Sequence, residues 1–173
     1  MHYLTLFLIA ALLTLLPACE KEPLDTLDEL VPATQEGANT LGCLIDGEVF
    51  YNRGGGFGAQ DISATLATIP YERIGVVGKD LSNSDMPKSI RVEIRDIKEG
   101  ISSHQLSVRA YSEGRGTTRN DYVIDIRQPS NVTVDHLDII QRIISGTFNF
   151  TVVDTLTQDR KVITDGRFDV RYF

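Results

Sequence analysis

Two cysteines, three histidines and an excess of carboxylates are the groups in this 173-residue chain that could carry chemistry. Cys43 stands beside Leu44 in an apolar alternating run, the setting of a buried, inert thiol rather than a nucleophile. His104 and His136 fall in different strand regions, and neither has a second His or Cys at metal-ligand spacing. No metal site and no cofactor are therefore expected. The nucleophile-elbow and zinc-protease motifs are absent, so no catalytic residues are assigned. The acid pairs Asp135 with Asp138 and Asp121 with Asp125 are the raw material of glycoside hydrolysis, but any acidic sheet face offers such pairs. Arg53-Gly-Gly-Gly-Phe-Gly58 lacks the Lys-Ser/Thr ending of a phosphate loop and reads as a surface loop with Phe57 at its edge. Asn83-Ser-Asp85 offers oxygen ligands without a twelve-residue calcium loop around them.

Cys19 is a different case, because its setting is chemical. Met1 to Ala18 contains no Lys, Arg, Asp or Glu and is almost wholly apolar from Tyr3 to Leu16. That run is shorter than the roughly 20 residues of a permanent span and suits a signal peptide. It ends in Leu16-Pro17-Ala18-Cys19, which resembles the lipobox of bacterial lipoproteins. Leu16 fills an apolar recognition position, small Ala18 admits the peptidase, and the Cys19 thiol accepts the diacylglyceryl group. The chain departs from the usual signal in having only its amino terminus and His2 as early cations. Each buried methylene contributes about 0.8 kcal/mol, so the several acyl chains of a mature lipoprotein hold a membrane firmly.

All 17 basic and 24 acidic residues follow Cys19, leaving a formal charge of −7. That balance argues against nucleic acid as a partner and against flat docking on anionic lipid. With Cys19 lipidated, Cys43 has no disulfide partner, and stability must come from packing. Glu20 to Asn39 is acidic, carries Pro23 and Pro32, and sustains no period, which reads as a flexible tether.

From Thr40 the pattern becomes short period-two runs broken by Gly, Asn, Asp and Pro. Leu41–Ile45 and Glu48–Tyr51 flank Asp46-Gly47 as a hairpin with a tight turn. Further alternating runs centre on Ala64, Val76, Val92, Val108, Ile124, Val134, Phe150 and Val170, with Asp165-Gly166 interrupting the last. Nine or ten short strands predict a mainly β domain, an antiparallel sandwich or partly closed barrel. One short helix near Ile139–Ile143 is the alternative. The expected organisation is a signal peptide over 1–18, a lipidated cysteine and tether over 19–39, and a single β domain over 40–173.

Pro32–Thr40, Gly42-Cys-Leu-Ile-Asp-Gly47, Ile144-Ser-Gly-Thr-Phe-Asn-Phe150 and Ile163-Thr-Asp-Gly-Arg-Phe-Asp-Val-Arg171 together resemble a family of uncharacterised Bacteroidota lipoproteins, a domain of unknown function. The resemblance runs from about Pro32 to the carboxyl end and is weaker between Gly54 and Val132. It implies an exported, lipid-anchored β domain of the outer membrane, periplasmic or surface-exposed, and transfers no catalytic residues.

With no Trp in the chain, Phe57, Tyr71 and Tyr111, beside Tyr51, are the aromatics placed at strand ends or loops where they could stack on a sugar. Thr26 in Asp25-Thr-Leu27 and Thr155 in Asp154-Thr-Leu156 resemble short O-glycosylation acceptors of Bacteroidota. The reading that follows is a non-catalytic envelope domain that binds a protein or glycan partner. The alternatives are a small hydrolase using a carboxylate pair or metal, and a structural subunit of a surface complex. Labelled palmitate fed to expressing bacteria should enter the wild-type chain and not the Cys19→Ser variant. Equal labelling of both would remove the lipid anchor.

Overall fold

A computed structural model of the chain describes residues 27–54, 61–68, 72–95, 97, 102–103 and 111–173. Cys19, Thr26, Phe57, Tyr71, His104 and the alternating run about Val108 lie outside the described residues. The strands are β1 (Thr40–Ile45), β2 (Glu48–Tyr51), β3 (Ile62–Ala67), β4 (Arg73–Asp80), β5 (Lys88–Arg95), β6 (Ser102–Ser103), β7 (Tyr111–Glu113), β8 (Asn120–Ile124), β9 (Asn131–Asp138), β10 (Ile143–Asp154) and β11 (Arg160–Arg171). All strand pairs are antiparallel, and the domain is mainly β, as the alternation predicts. No α-helix occurs among the described residues, only a 3-10 turn over Gly116–Thr118.

The strands form one sheet in the order β2-β1-β11-β10-β8-β7-β5-β4-β3, with β9 and β6 branching from β10. Strand β10 is the fork. It pairs with β11 along one side, and on the other with β9 over Ile143–Asn149 and with β8 over Val152–Asp154. Beyond the fork the sheet folds over, so that Leu41 of β1 packs on Gly78 of β4. The two ends are stitched by Arg53 N–H to the Lys79 carbonyl (2.8 Å), Leu81 N–H to the Arg53 carbonyl (2.8 Å) and Leu66 N–H to the Phe173 carbonyl (2.8 Å). The sheet is sandwich-like and not closed into a barrel.

Alternation builds the core between the layers. Leu41 and Cys43, Ile74 and Val76, Ile90, Val92 and Ile94, and Phe148, Phe150 and Val152 all point inward. Two bulges correct the parity where strict alternation would turn apolar residues outward. One extra residue in β9 near Asp135 lets Val134 and Leu137 both reach the core side. The Asp165-Gly166 pair is the second, a bulge inside β11 rather than a turn, with Asp165 at φ 52°. It brings both Ile163 and Phe168 inward. Gly166 is needed there because a Cβ would lie 2.4 Å from the Phe148 ring. Asp46 (φ 52°) and Gly47 (φ 84°) make the expected tight turn. Ile139–Arg142 is also a turn and not the alternative helix, because the Asp138 carboxylate accepts the Gln141 N–H (2.8 Å) and β10 begins at once.

The largest departure concerns the expected tether. Its second half, Leu30 to Asn39, is docked as a strap over the outer faces of β1, β11 and β10. Leu30 is buried, and Val31 meets Gly42 of β1. Asp169 on β11 is only 1% exposed and lies under the strap. Its carboxylate accepts the Thr34 hydroxyl (2.6 Å) and the backbone N–H groups of Glu36 (3.0 Å), Gly37 (2.8 Å) and Ala38 (3.1 Å). Three successive N–H groups turned toward one anion make a nest that balances a buried charge. Arg171 adds a bond from its guanidinium to the Glu36 carbonyl (3.2 Å), and its N–H is accepted by the Asn39 side chain (3.1 Å). Composition alone hides this, since the partner carboxylate is more than 130 positions away.

Burial pushes the Asp169 carboxyl upward, but the Thr34 hydroxyl and the three N–H groups outweigh it and hold the group below its ordinary value. A depressed carboxylate stabilises fully above the unfolded value of about 3.9 and loses that contribution as pH falls through its lower folded value. Asp169→Asn keeps the shape but presents an NH2 where acceptors are needed, so it should cost on the order of 3 kcal/mol in urea unfolding. It should also admit protease between Leu30 and Asn39 at neutral pH, where the wild type resists until strongly acid solution. An unchanged midpoint with a protected strap would refute this account.

Candidate functional site

The outer face of β4, β5, β7 and β8 carries a row that crosses all four strands. Lys79 pairs with Ser89, Ser89 with Ser112, and Ser112 with Asp121. The alternation that sends Ile90 and Tyr111 inward sends Ser89 and Ser112 outward, and their hydroxyls meet at 2.9 Å. Two small side chains at the centre of the row leave a depression, walled by Leu81 and Pro87 on one side and by the Gly114–Arg119 loop on the other. The loop is held by Gly114 N–H to the Pro87 carbonyl (3.0 Å) and by the 3-10 turn. Gly114, at φ 87°, has no room for a Cβ, which would lie 2.5 Å from the Thr118 carbonyl oxygen.

The depression is a groove of two adjoining cavities, about 260 Å³ and about 310 Å³, which share Lys79, Ser89, Ser112 and Arg119. Lys88 and Arg115 extend it at one end, Arg91 and Asp121 at the other. Among the described residues Asp121 is the one carboxylate in the lining, and it receives Arg119 through Nε and Nη2, each 2.9 Å from Oδ1. Lys79, Lys88 and Arg115 have no carboxylate partner among the described residues. A chain with an acidic excess thus gathers five cations around one polar floor.

A second depression follows the β10–β11 bulge, lined by Thr147, Asn149, Thr151, Asp165 and Arg167 among others. It sets one acid against one base and has no charge bias.

Tyr111 borders the second cavity but offers no exposed ring to a ligand. Its side chain is 2% exposed, its ring lies 5.3 Å from that of Tyr122, and its hydroxyl donates to Glu113 Oε2 at 2.8 Å. Opposite Ile90 in the register, it is obliged to face the core. Tyr51 is half-buried and carries the Arg53 guanidinium 4.2 Å above its ring, while Arg53 also pairs with Asp80 at 2.9 Å. Arg53, read as the start of a loop, is therefore a clasp between β2 and β4.

Cys43 is fully buried and free, and burial pushes its thiol far above the ordinary range. The acid pairs are split between separate partners. Asp125 is buried against Arg127 (2.8 Å) and Arg160 (3.2 Å), Asp121 takes Arg119, and Asp138 caps its turn. Asp135 sits on the β9 bulge, where partial desolvation raises its pKa. Asn83 spends its side-chain oxygen on the N–H groups of Asp85 and Met86. Thr155 is exposed in the β10–β11 turn. Among the described residues no group of three or more His, Cys, Asp or Glu can hold a metal ion.

One carboxylate pair that alternation does not announce does form. Tyr122 Oη lies 3.3 Å from Glu113 Oε1 and 3.0 Å from Asp159 Oδ2, and Lys161 reaches Asp159 (3.8 Å) and Asp46 (3.4 Å). Burial first, then these carboxylates, pushes both tyrosine hydroxyls well above their ordinary value. Held by two phenols and an ammonium, the pair closes one end of the core and does not line the groove. The groove itself escaped sequence reading because its residues come from four strands and two loops. The one available signal was the outward Ser beside each inward apolar residue.

No protein-family model, curated protein or solved structure matches this chain. Tyr111→Ala should cost about 3 to 5 kcal/mol in chemical unfolding and Tyr111→Phe about 1 kcal/mol. Equal midpoints for the two variants and the wild type would return the ring to the surface.

Proposed function

We propose that the chain is a lipid-anchored envelope lipoprotein of the Bacteroidota kind, whose β domain is a non-catalytic binding module with the β4–β5–β7–β8 groove as its ligand surface. The groove carries this reading. Concave sites with a few convergent polar groups are the ordinary form of a binding site, and this one gathers five cations, three of them without a carboxylate partner among the described residues, in a chain with an acidic excess. The Leu16–Cys19 motif supports the membrane address, and the apolar run before it supports export. Among the described residues no helix is long and apolar enough to cross a membrane. The strap favours display of this face. By covering the outer faces of β1, β11 and β10, it leaves the β4–β5–β7–β8 face for ligand.

Hydrogen–deuterium exchange of the full lipidated chain in non-ionic detergent tests the surface. Addition of the polysaccharide and protein fractions of a bacterial envelope should slow exchange at Lys79, Ser89, Ser112 and Gly114–Arg119. Protection confined to the β10–β11 depression, or none at all, would overturn the assignment.

A further inference from the structure

We infer that the ligand of this groove is a glycan carrying anionic groups on successive sugars, recognised by charge and hydroxyl contacts rather than by aromatic stacking. This rests on the groove being the binding surface.

The first support is the arrangement of cations. They are strung along the groove, Lys88 and Arg115 at one end, Lys79 and Arg119 in the middle, Arg91 at the other end. A single small anion would be met by a converging set, whereas a line of cations matches a polymer whose charges repeat. Arg91 lies 3.7 Å from Glu93, but that one carboxylate also takes Arg73 (3.9 Å) and Arg95 (3.5 Å). Its charge is divided three ways. A guanidinium has five N–H donors, so Arg91 retains donors for a ligand. Cations gathered around one groove repel each other, and a bound anion relieves that repulsion.

The floor supplies the second support. The Ser89 and Ser112 hydroxyls share one hydrogen bond, leaving one O–H free to donate and lone pairs free to accept. A sugar hydroxyl or an oxyanion answers both. Of the aromatics among the described residues, only Tyr111 borders the groove, and its ring is buried in the core, so a stacking platform for neutral sugar is missing from the described lining.

The third support sets glycan above acidic peptide. At the groove floor, Lys88–Ile90 of β5 pairs with β4 on one side and β7 on the other, and Tyr111–Glu113 of β7 pairs with β5 and β8, so these backbone groups are already committed to neighbours and cannot pair with an added strand. Only side chains offer contacts here, and these are hydroxyls and cations. That set suits a chain of hydroxyls and oxyanions, with carboxylate, sulfate or phosphate as the shared anion chemistry.

Titration calorimetry of the full chain in non-ionic detergent uses four polymers: polygalacturonate, dextran sulfate, neutral dextran and polyglutamate. Polygalacturonate or dextran sulfate should bind, and which one does so identifies the anion. Affinity should fall about tenfold or more in the Lys88→Glu/Arg115→Glu variant. It should also weaken steeply as salt rises from about 50 to about 500 mM, where screening shortens to a few ångströms. The variant's melting temperature is measured alongside, and Ser112→Ala provides a milder second test that should weaken binding without altering the salt response. Polyglutamate binding as tightly as either acidic polysaccharide, or neutral dextran binding at the groove, would overturn the anionic-glycan inference and leave the groove standing as a binding surface. Undiminished polyanion binding by the folded charge-reversal variant would overturn the groove itself. Binding of neither acidic polysaccharide would sink the ligand class, while envelope-fraction protection at the groove still tests the surface separately.

Discussion

The buried carboxylate of Asp169 is the polar contact that fixes the strap to the sheet. A charge placed 1% exposed on the outer face of a sheet is untenable unless it is neutralised by geometry. The strap supplies that geometry through one hydroxyl and three successive backbone N–H groups. Ten residues are thereby held against the sheet by these polar contacts together with buried Leu30 and the packing of Val31 on Gly42. Their docking also decides which outer faces remain available. The strap covers the faces of β1, β11 and β10 at that end and does not reach the outer face of β4, β5, β7 and β8.

A second constraint follows from the fork at β10. One strand twelve residues long has to serve β11 on one side and two separate strands, β9 and β8, on the other. Holding the core face correct along that length is impossible with unbroken alternation in every partner. The bulges at Asp135 and Asp165 absorb the mismatch, each by one residue. Phe148 marks the centre of this arrangement. It stacks near Phe150 (5.6 Å) and Phe168 (6.4 Å) and lies over the bare backbone of Gly166. The far branch then carries β5 and β7 into register, which is what sets Ser89 against Ser112 and creates the floor of the groove.

Different parts of this molecule were legible in the sequence to different degrees. Val92 with its alternating neighbours, or Phe148 and Phe150, announce both strand and inward face, because burial on one side of a pleated ribbon leaves a period of two. Cys43 was legible for the same reason. Tyr111 was not, since it falls out of phase with the alternating run read about Val108, and its pairing with Ile90 decides the face. Gly37 and Ala38 look like linker because the donors that matter are backbone N–H groups, which carry no residue signature. The five groove cations are individually ordinary surface residues, and their significance lies wholly in adjacency across strands.

By itself the sequence determined the class of structure, the turn at Asp46-Gly47 and the inward faces of the longer strands. These are local properties, set by side-chain periodicity and by the backbone freedom of glycine. Tertiary structure alone decided that Leu30–Asn39 is a strap, that Asp165-Gly166 is a bulge, and that Lys79, Ser89, Ser112 and Arg119 share one groove. Each of those depends on which strands become neighbours. A carboxylate on β11 finding N–H groups more than 130 positions earlier is settled by the pairing of the whole sheet, which no local window of residues contains.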